Sequence, residues 1–235
     1  MRIATWNCPK RTIAQCRERL ADFSPDILVL QEVADTVLNS NVESWCGWMP
    51  WQGFAVAVRD GLAVESEEER LGISSVSGRP FTVRLADGEL RILSVWAHEE
   101  NEPYVAGVHR ILNECAEWLM EAPSIVLGDF NAHPRFDKKH PKATFASISE
   151  RLLTDFGLVS AYHEQSQRIH GVDEIPTYYH QCKKHQPFHL DYCFVPAAWT
   201  TAIQSVSIGT FEEFDGFSDH RPVLVEFAET PLLTI

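Results

Sequence analysis

Short apolar runs of strand length recur along the chain: Arg2 to Trp6, Ile27 to Leu30, Phe54 to Val58, Phe81 to Leu85, Leu90 to Val95, Ser124 to Leu127, Leu190 to Val195 and Pro222 to Phe227. Their brevity and their β-branched and aromatic content predict strands. Two Asp-Gly pairs, Asp60-Gly61 and Asp87-Gly88, separate apolar runs and predict tight hairpins, because glycine takes a positive φ without steric cost. Much of the sheet is therefore expected to be antiparallel. Helical spacing appears at Ile13, Cys16, Leu20 and Phe23, behind a Thr12/Gln15 capping box and ahead of Ser24-Pro25 as a stop. It recurs at Val105, Val108, Leu112, Cys115 and Leu119, and again at Phe145, Ile148, Leu152 and Phe156, where Gly157 is expected as a left-handed cap. No repeat or Gly/Ser-rich linker divides the chain. The elements predict one α/β domain over residues 1–235, a four-layer α/β/β/α sandwich of two mixed, largely antiparallel sheets packed face to face.

Composition narrows the function. With 45% hydrophobic residues the chain can bury a substantial core, and its net charge of −13 weighs against indiscriminate binding to polyanions. The six cysteines show no paired CxxC spacing, so a structural zinc site is not expected and the thiols read as reduced. The chain opens on a strand pattern, without a charged-then-apolar leader and without an apolar run approaching the about 18 residues of a membrane span. A cytoplasmic location is the expectation.

Polar residues gather at the ends of the predicted strands. Asn7 ends the first, Gln31-Glu32 the second, His98 follows Trp96-Ala97, and Gly128-Asp129-Phe130-Asn131 follows Ile125 to Leu127. Asp191 opens Tyr192 to Val195, and Asp219-His220 precede the last strand. In a sandwich of mixed strand directions those ends can converge on one rim. Glu32, Asp129, Asp191 and Asp219 would supply the hard oxygens that Mg²⁺ or Mn²⁺ prefers, whereas the soft sulfur and multi-histidine spacing of zinc sites is missing. Carboxylates brought together repel and raise one another's pKa unless a cation compensates, so something positive must join them.

Thr5-Trp6-Asn7, Leu30-Gln31-Glu32, Gly128-Asp129-Phe130-Asn131, Leu190-Asp191-Tyr192 and Ser218-Asp219-His220-Arg221-Pro222-Val223, in that order, resemble the motifs of the endonuclease/exonuclease/phosphatase superfamily, the deoxyribonuclease I-like fold. The resemblance implies that Glu32 is the principal Mg²⁺ ligand, with Asn7 beside it and Asp219 placing the metal or its water. It implies that Asp129 orients or deprotonates the attacking water, with Asn131 holding Asp129 and a phosphate oxygen. His220 would contact the scissile phosphate, with Asp191 fixing its tautomer. His98 would be a phosphate ligand or leaving-group acid, although Trp96-Ala97-His98 departs from the commoner family patterns, and Thr177 would brace the Asp129 loop. His133, His140 and His170 read as solvated loop residues.

The substrate is less legible. Basic loops at Lys138 to Lys142 and His180 to His189, with Arg11 and Lys10, are expected to form an electrostatic rim, giving Arg11, Lys183 and Lys184 as substrate-binding candidates. Trp45, Trp48 and Trp51, in a segment read as irregular, offer stacking surfaces for a base, with Trp48 the leading candidate. The leading reading is a Mg²⁺-dependent nuclease, with Mn²⁺ able to substitute, that cleaves DNA or RNA by in-line water attack and needs no membrane or obligate protein partner. The alternatives are a phosphatase or phosphodiesterase of a small phosphoester, and an inactive binding module on the same fold. The Trp6-Asn7-Cys8-Pro9-Lys10 start lacks the glycine-bearing Trp-Asn-x-Asn-Gly pattern, which argues against abasic-site repair.

Overall fold

The computed structural model describes residues 1–34, 42–98, 103–138, 144–172 and 174–228, apart from the side chain of Trp48. The strands among them are β1 (Arg2–Asn7), β2 (Ile27–Val33), β3 (Glu43–Met49), β4 (Gln52–Val58), β5 (Ala63–Ser66), β6 (Gly78–Leu85), β7 (Gly88–Trp96), β8 (Ser124–Asp129), β9 (Leu158–Ser160), β10 (Tyr178–Tyr179), β11 (Pro187–Phe188), β12 (Asp191–Pro196), β13 (Ile203–Ile208) and β14 (Val223–Phe227). The α-helices are α1 (Ile13–Arg19), α2 (Glu68–Leu71), α3 (Tyr104–Glu114), α4 (Ala116–Met120), α5 (Pro134–Asp137), α6 (Phe145–Phe156), α7 (Ala161–Ser166) and α8 (Phe211–Phe214). One six-stranded sheet runs β13-β14-β1-β2-β4-β3, a second runs β5-β6-β7-β8-β12-β9, and β10 with β11 form a small ribbon.

Period-two burial builds the layers. Ile3, Ile27, Val29, Val56 and Val58 of the first sheet meet Phe81, Val83, Ile92, Ile125 and Leu127 of the second in a central core. The alternate residues of the first sheet, Ala4, Trp6, Leu28 and Leu30, pack on Ile13, Cys16 and Leu20 of α1 and the turn after it. Those of the second, Leu93, Val95 and Val126, pack beneath α3, α4 and α6 through Val108, Ile111, Leu112, Trp118 and Ile148. Because both faces of each central strand are covered, these strands read as continuous apolar runs, which is why they are visible in the sequence. The four-layer expectation holds.

The capping box at Thr12 and Gln15 starts α1, and Gly157 closes α6 at φ +66. Other local expectations are corrected by tertiary context. Asp87-Gly88 makes the β6–β7 hairpin, but Asp60-Gly61 links β4 to β5 across the two sheets. The single helix expected over Val105 to Leu119 breaks at Cys115, which leaves the helical region at ψ 3. The segment carrying Trp45 and Trp48 is the edge strand β3, paired antiparallel to β4. His133 is buried, and His170 packs its ring 3.6 Å from that of His163, so neither is a solvated loop residue. Most of the basic stretch from Lys138 to Lys142, and His140 with it, lies outside the described residues. All six cysteines are free.

Strand direction positions the polar ends. β1 runs parallel to β2, with Asn7 opposite Gln31, and β7 runs parallel to β8, with Trp96 opposite Asp129. β14 and β12 run antiparallel to these pairs, so the start of each lies beside their carboxyl ends: Thr5 faces Val223 and Asp129 faces Asp191. Gly128 makes this junction possible, since at φ +132 a Cβ there would lie 2.0 Å from the Val95 carbonyl oxygen. We predict that Gly128→Ala lowers unfolding free energy by about 3 kcal/mol, through a clash and strained backbone together. Gly157→Ala, whose Cβ would meet open space, should cost only about 1 kcal/mol. Equal urea midpoints for the two variants would show that the Gly128 contact does not constrain the sheet.

Candidate active site

Asn7 lies at the carboxyl end of β1 and donates its side-chain amide to Glu32 Oε1 at 2.8 Å and to Asp129 Oδ2 at 3.0 Å. One amide thus joins carboxylates from both sheets. Glu32 sits where the β2–β4 register shifts, and its backbone is left-handed at φ +59, a conformation of order 1–3 kcal/mol above the ordinary one for such a residue. The bulge turns its carboxylate away from the strand's regular alternation, and Gln52 donates to its Oε2 at 3.0 Å. Asn131, also left-handed at φ +47, returns its backbone N–H to Asp129 Oδ1 at 2.9 Å and its side-chain amide to Oδ2 at 3.0 Å and to the Ala97 carbonyl at 3.1 Å.

His220 closes the rim from the other side. Its Nδ1 lies 2.9 Å and 3.1 Å from the two oxygens of Asp191, and its Nε2 lies 3.7 Å from Asp129 Oδ2. Thr177 accepts from the backbone N–H of Leu190 at 2.9 Å and of Asp191 at 3.0 Å, so it braces Asp191 rather than, as expected, the Asp129 loop. Ser218 donates to the Asn7 carbonyl at 2.7 Å and accepts from the His220 N–H at 3.0 Å. The Trp6 indole donates to the His220 carbonyl at 3.0 Å. Arg221, fully buried, donates to the Ser218 and His220 carbonyls at 2.6 and 3.0 Å and packs against Tyr179 and Phe211. Arg221 therefore holds the turn that carries His220.

Burial would by itself discharge the imidazole, but the carboxylates of Asp191 and Asp129 outweigh it and push the His220 pKa up to about 10, with Asp219 adding to them. Burial pushes the Asp129 carboxyl the other way from a free aspartate, upward; the His220 charge and the Asn131 N–H oppose that rise, and Asp191 and Glu32 add to it. At neutral pH the site holds a cationic imidazole wedged against a carboxylate whose proton affinity is raised. Both are features of a centre that moves protons and stabilises anionic oxygens.

The structure brings Asn7, Glu32, Asp129, Asn131, Asp191 and His220 together. His98 follows β7, half-buried, with its ring edge-on to Trp96 at 4.9 Å. Asp219, half-buried, presents its backbone carbonyl to Tyr179 at 2.9 Å, and its charge acts on His220. Of the expected basic rim, the substrate-binding candidates Arg11, Lys183 and Lys184 are among the described residues, and each is engaged by a protein group. Arg11 is engaged by the Phe217 and Gly216 carbonyls at 3.1 Å each and lies over the Phe217 ring, so it clamps a loop. Lys184 pairs with Glu212 and Lys183 with Gln181, both on the exposed surface. Trp45 donates to the Val33 carbonyl at 3.2 Å from the edge strand, while the Trp48 side chain lies outside the described ones.

Sequence reasoning missed Tyr178, whose ring lies 4.6 Å from that of His220 across an isolated bridge between the two residues. It also missed an aromatic cavity of about 630 Å³ beside Asn131, walled by Tyr104, Phe136, Tyr178 and Phe188 and fringed by Arg135 and His180. Tyr178-Tyr179 does read as a short strand in retrospect. The cavity does not, because its walls come from separate connections.

Comparison with known proteins identifies the family. The sequence profile of the endonuclease/exonuclease/phosphatase family matches residues 4–220. The chain belongs to that family. It is accordingly a hydrolytic phosphoesterase of a divalent-metal-dependent family. Among curated proteins the sequence has no match. Among solved structures it is similar to a 3′ phosphatase, NExo, from Neisseria bound to product DNA hairpin, at 19% identity and a TM-score of 0.71 over 97% of this chain and all of the other. It is also similar to the AP endonuclease LMAP from Leishmania major, at 13% identity and a TM-score of 0.68 over 95% of this chain and 86% of the other. The endonuclease domain of the telomere-specific non-LTR retrotransposon TRAS1 aligns at 17% identity and a TM-score of 0.67 over 96% of this chain and 97% of that one. At such identities the likeness concerns the fold.

The family member's own residues fit a hard divalent cation. Asn7 Oδ1 is buried without a hydrogen-bond partner, and the Glu32 and Asp129 oxygens converge on the same amide. Asp129, Asp191 and His220 also place three ligand atoms within 4.8 Å of one another, but there the imidazolium already supplies the positive charge. A cation held on the Glu32–Asn7 side would leave that pair intact.

The raised His220 pKa has a measurable sign. Its stabilising contribution is fully present below the ordinary value of 6.5 and is lost as pH rises through about 10. NMR titration of metal-free protein should find the His220 ring protonated at about pH 8, and Asp191→Asn should bring its midpoint down toward the ordinary range. A wild-type midpoint near the ordinary 6.5 would remove the imidazolium from the site.

Proposed function

We propose that this family member is a Mg²⁺-dependent phosphodiesterase that cleaves nucleic acid by in-line attack of water, with Mn²⁺ able to substitute. The observation that carries the reading is the shared amide of Asn7, which holds Glu32 and Asp129 together opposite the Asp191–His220 pair. Glu32 and Asn7, with Asp219 as the further candidate, would hold the cation, which when bound supplies charge neutralisation at the phosphoryl and leaving oxygens.

The chain's own groups account for the rest. Asp129, its proton affinity raised by burial and its geometry fixed by two bonds from Asn131, accepts the proton of the attacking water. His220 spends Nδ1 on Asp191, which leaves Nε2–H to donate to a non-bridging phosphate oxygen as negative charge builds there. Nε2 and Asp129 Oδ2 are 3.7 Å apart, which sets the donor to phosphate and the acceptor for water side by side. Asn131 serves mainly to position Asp129. His98, at the end of the neighbouring strand, is the candidate donor to the leaving oxygen. Tyr178 lies against His220 and shields it from water on the side of the aromatic cavity.

The cavity beside Asn131 supports nucleic acid over a bare phosphate, since its aromatic walls suit a base or sugar next to the scissile group. The Neisseria 3′ phosphatase, similar in fold, was solved with product DNA hairpin. A second reading, release of a phosphate from a small or terminal phosphomonoester, draws support from the way Arg11, Lys183 and Lys184 are each tied to protein groups, so that these three described residues form no extended basic track.

Purified protein should cleave single-stranded or duplex DNA or RNA in Mg²⁺ or Mn²⁺, with Asp129→Ala and His220→Ala each reducing kcat by about 10²–10⁴-fold while the circular dichroism spectrum is unchanged. Glu32→Gln should raise the metal concentration needed for half-maximal rate. Folded wild type that is silent on polynucleotides but active on phosphomonoesters would select the second reading, and silence on both would remove the catalytic assignment.

A further inference from the structure

Four imidazoles and a carboxylate lie together outside the catalytic rim. Glu174 accepts from His133 Nε2 at 2.8 Å on one oxygen and pairs with His163 Nε2 at 2.8 Å on the other. The side chains of His133, His163 and Glu174 are 5%, 5% and 4% exposed. His133 Nδ1 accepts from the Arg135 backbone N–H at 3.0 Å, which fixes the proton on Nε2 and makes His133 the group that orients the carboxylate. His170 stacks on His163 with ring centres 3.6 Å apart, and its Nδ1 is buried without a partner. His189 donates Nδ1–H to the Ile175 carbonyl at 2.7 Å, leaving a buried and unpartnered Nε2 lone pair on a ring 4.9 to 5.5 Å from those of Tyr162, Tyr192 and His163.

A core histidine that only fills space satisfies both nitrogens; buried lone pairs left bare are costly and call for a partner. Stacking the His170 ring on His163 beside a buried carboxylate aims imidazole nitrogens and carboxylate oxygens at one small volume. Buried imidazole lone pairs without partners, a carboxylate, and second nitrogens bonded to Ser160 or a backbone carbonyl are the preparation that transition-metal ligands show.

We propose that His163, His170 and Glu174, whose ligand atoms lie within 4.8 Å of one another, form a structural site for a borderline transition metal of the Zn²⁺ class, with His133 orienting Glu174. His189 or a water completes four-fold coordination. With Nε2 given to the metal, His163 carries its proton on Nδ1 and donates it to Ser160 Oγ. The imidazole-rich set favours Zn²⁺ or Co²⁺ over the hard cation that fits Glu32 and Asn7. Such an ion would tie the segment following α7 to His189, two residues before Asp191, and to His133, two residues after Asn131, and so stiffen the wall between the aromatic cavity and the catalytic strand ends.

Neither CxxC nor paired-histidine spacing announces this site, since its ligands lie on a helix and in the connection after it, with His133 and His189 brought in from distant segments. The test uses the untagged full chain, stripped with chelator and dialysed into excess Mg²⁺. Titration with Co²⁺ or Zn²⁺ should show one equivalent bound, an intense tetrahedral Co²⁺ absorption and a higher melting temperature. His170→Gln and Glu174→Gln should weaken binding at least about tenfold, whereas the double variant Glu32→Gln/Asp129→Asn should retain it. Wild type that stays folded by circular dichroism and binds neither metal in excess Mg²⁺ overturns the proposal, as does binding abolished by the Glu32/Asp129 variant and untouched by His170→Gln. If either cluster variant fails to fold, the Co²⁺ spectrum and stoichiometry of the wild type against the Glu32/Asp129 variant still decide.

Discussion

Two parallel strand pairs, one in each sheet, direct the polar groups of the site to the same edge. Parallel pairing of β1 with β2 and of β7 with β8 aligns carboxyl ends, and the antiparallel partners β14 and β12 deliver their first residues to those ends. With the sheets packed face to face, Asn7 of one can reach Asp129 of the other through a single amide. A register slip by one residue would turn these side chains to the opposite face and expose the apolar residues that now form the central core. The hydrophobic packing and the placement of the site are therefore the same constraint.

That arrangement concentrates negative charge where water is largely excluded. Asp129 and Asp191 are 1% and 0% exposed, and each needs compensation. The chain supplies part of it by holding His220 protonated between them, and part through the Asn7 and Asn131 amides and the Asn131 backbone N–H, all of which donate to Asp129. Two residues in left-handed backbone, Glu32 and Asn131, flank the same spot, so local strain and buried charge coincide where function needs both. The turn carrying His220 is in turn fastened by Ser218, Trp6 and the buried Arg221.

Much of this is legible in the unfolded chain. Buried strands announce themselves as apolar runs, and polar residues such as Asn7, Glu32, Asp129 and Asp191 are conspicuous at the ends of such runs because turn propensity alone does not require them all. Strands β3, β5, β9 and β13 are not legible, because they lie at the edges of the sheets and bury too little to show a pattern. Arg11, Lys183 and Lys184 carry the expected charge, yet the atoms that engage them, the Phe217 and Gly216 carbonyls, Gln181 and Glu212, cannot be identified from composition. A long side chain takes whichever partner the local backbone sets within its reach.

Residue type and order by themselves determined the layered α/β class, the oxygen-rich donor set and the family, since these depend on local periodicity and on which groups follow which strand. Tertiary structure alone decided that Asp129 faces both Asn7 and His220, that an aromatic cavity opens beside Asn131, and that His133, His163, His170, Glu174 and His189 come together. The physical reason is range. Hydrophobic periodicity acts over a few residues along the chain, whereas pKa shifts, hydrogen-bond satisfaction and ligand geometry depend on separations of a few ångströms between residues far apart in sequence.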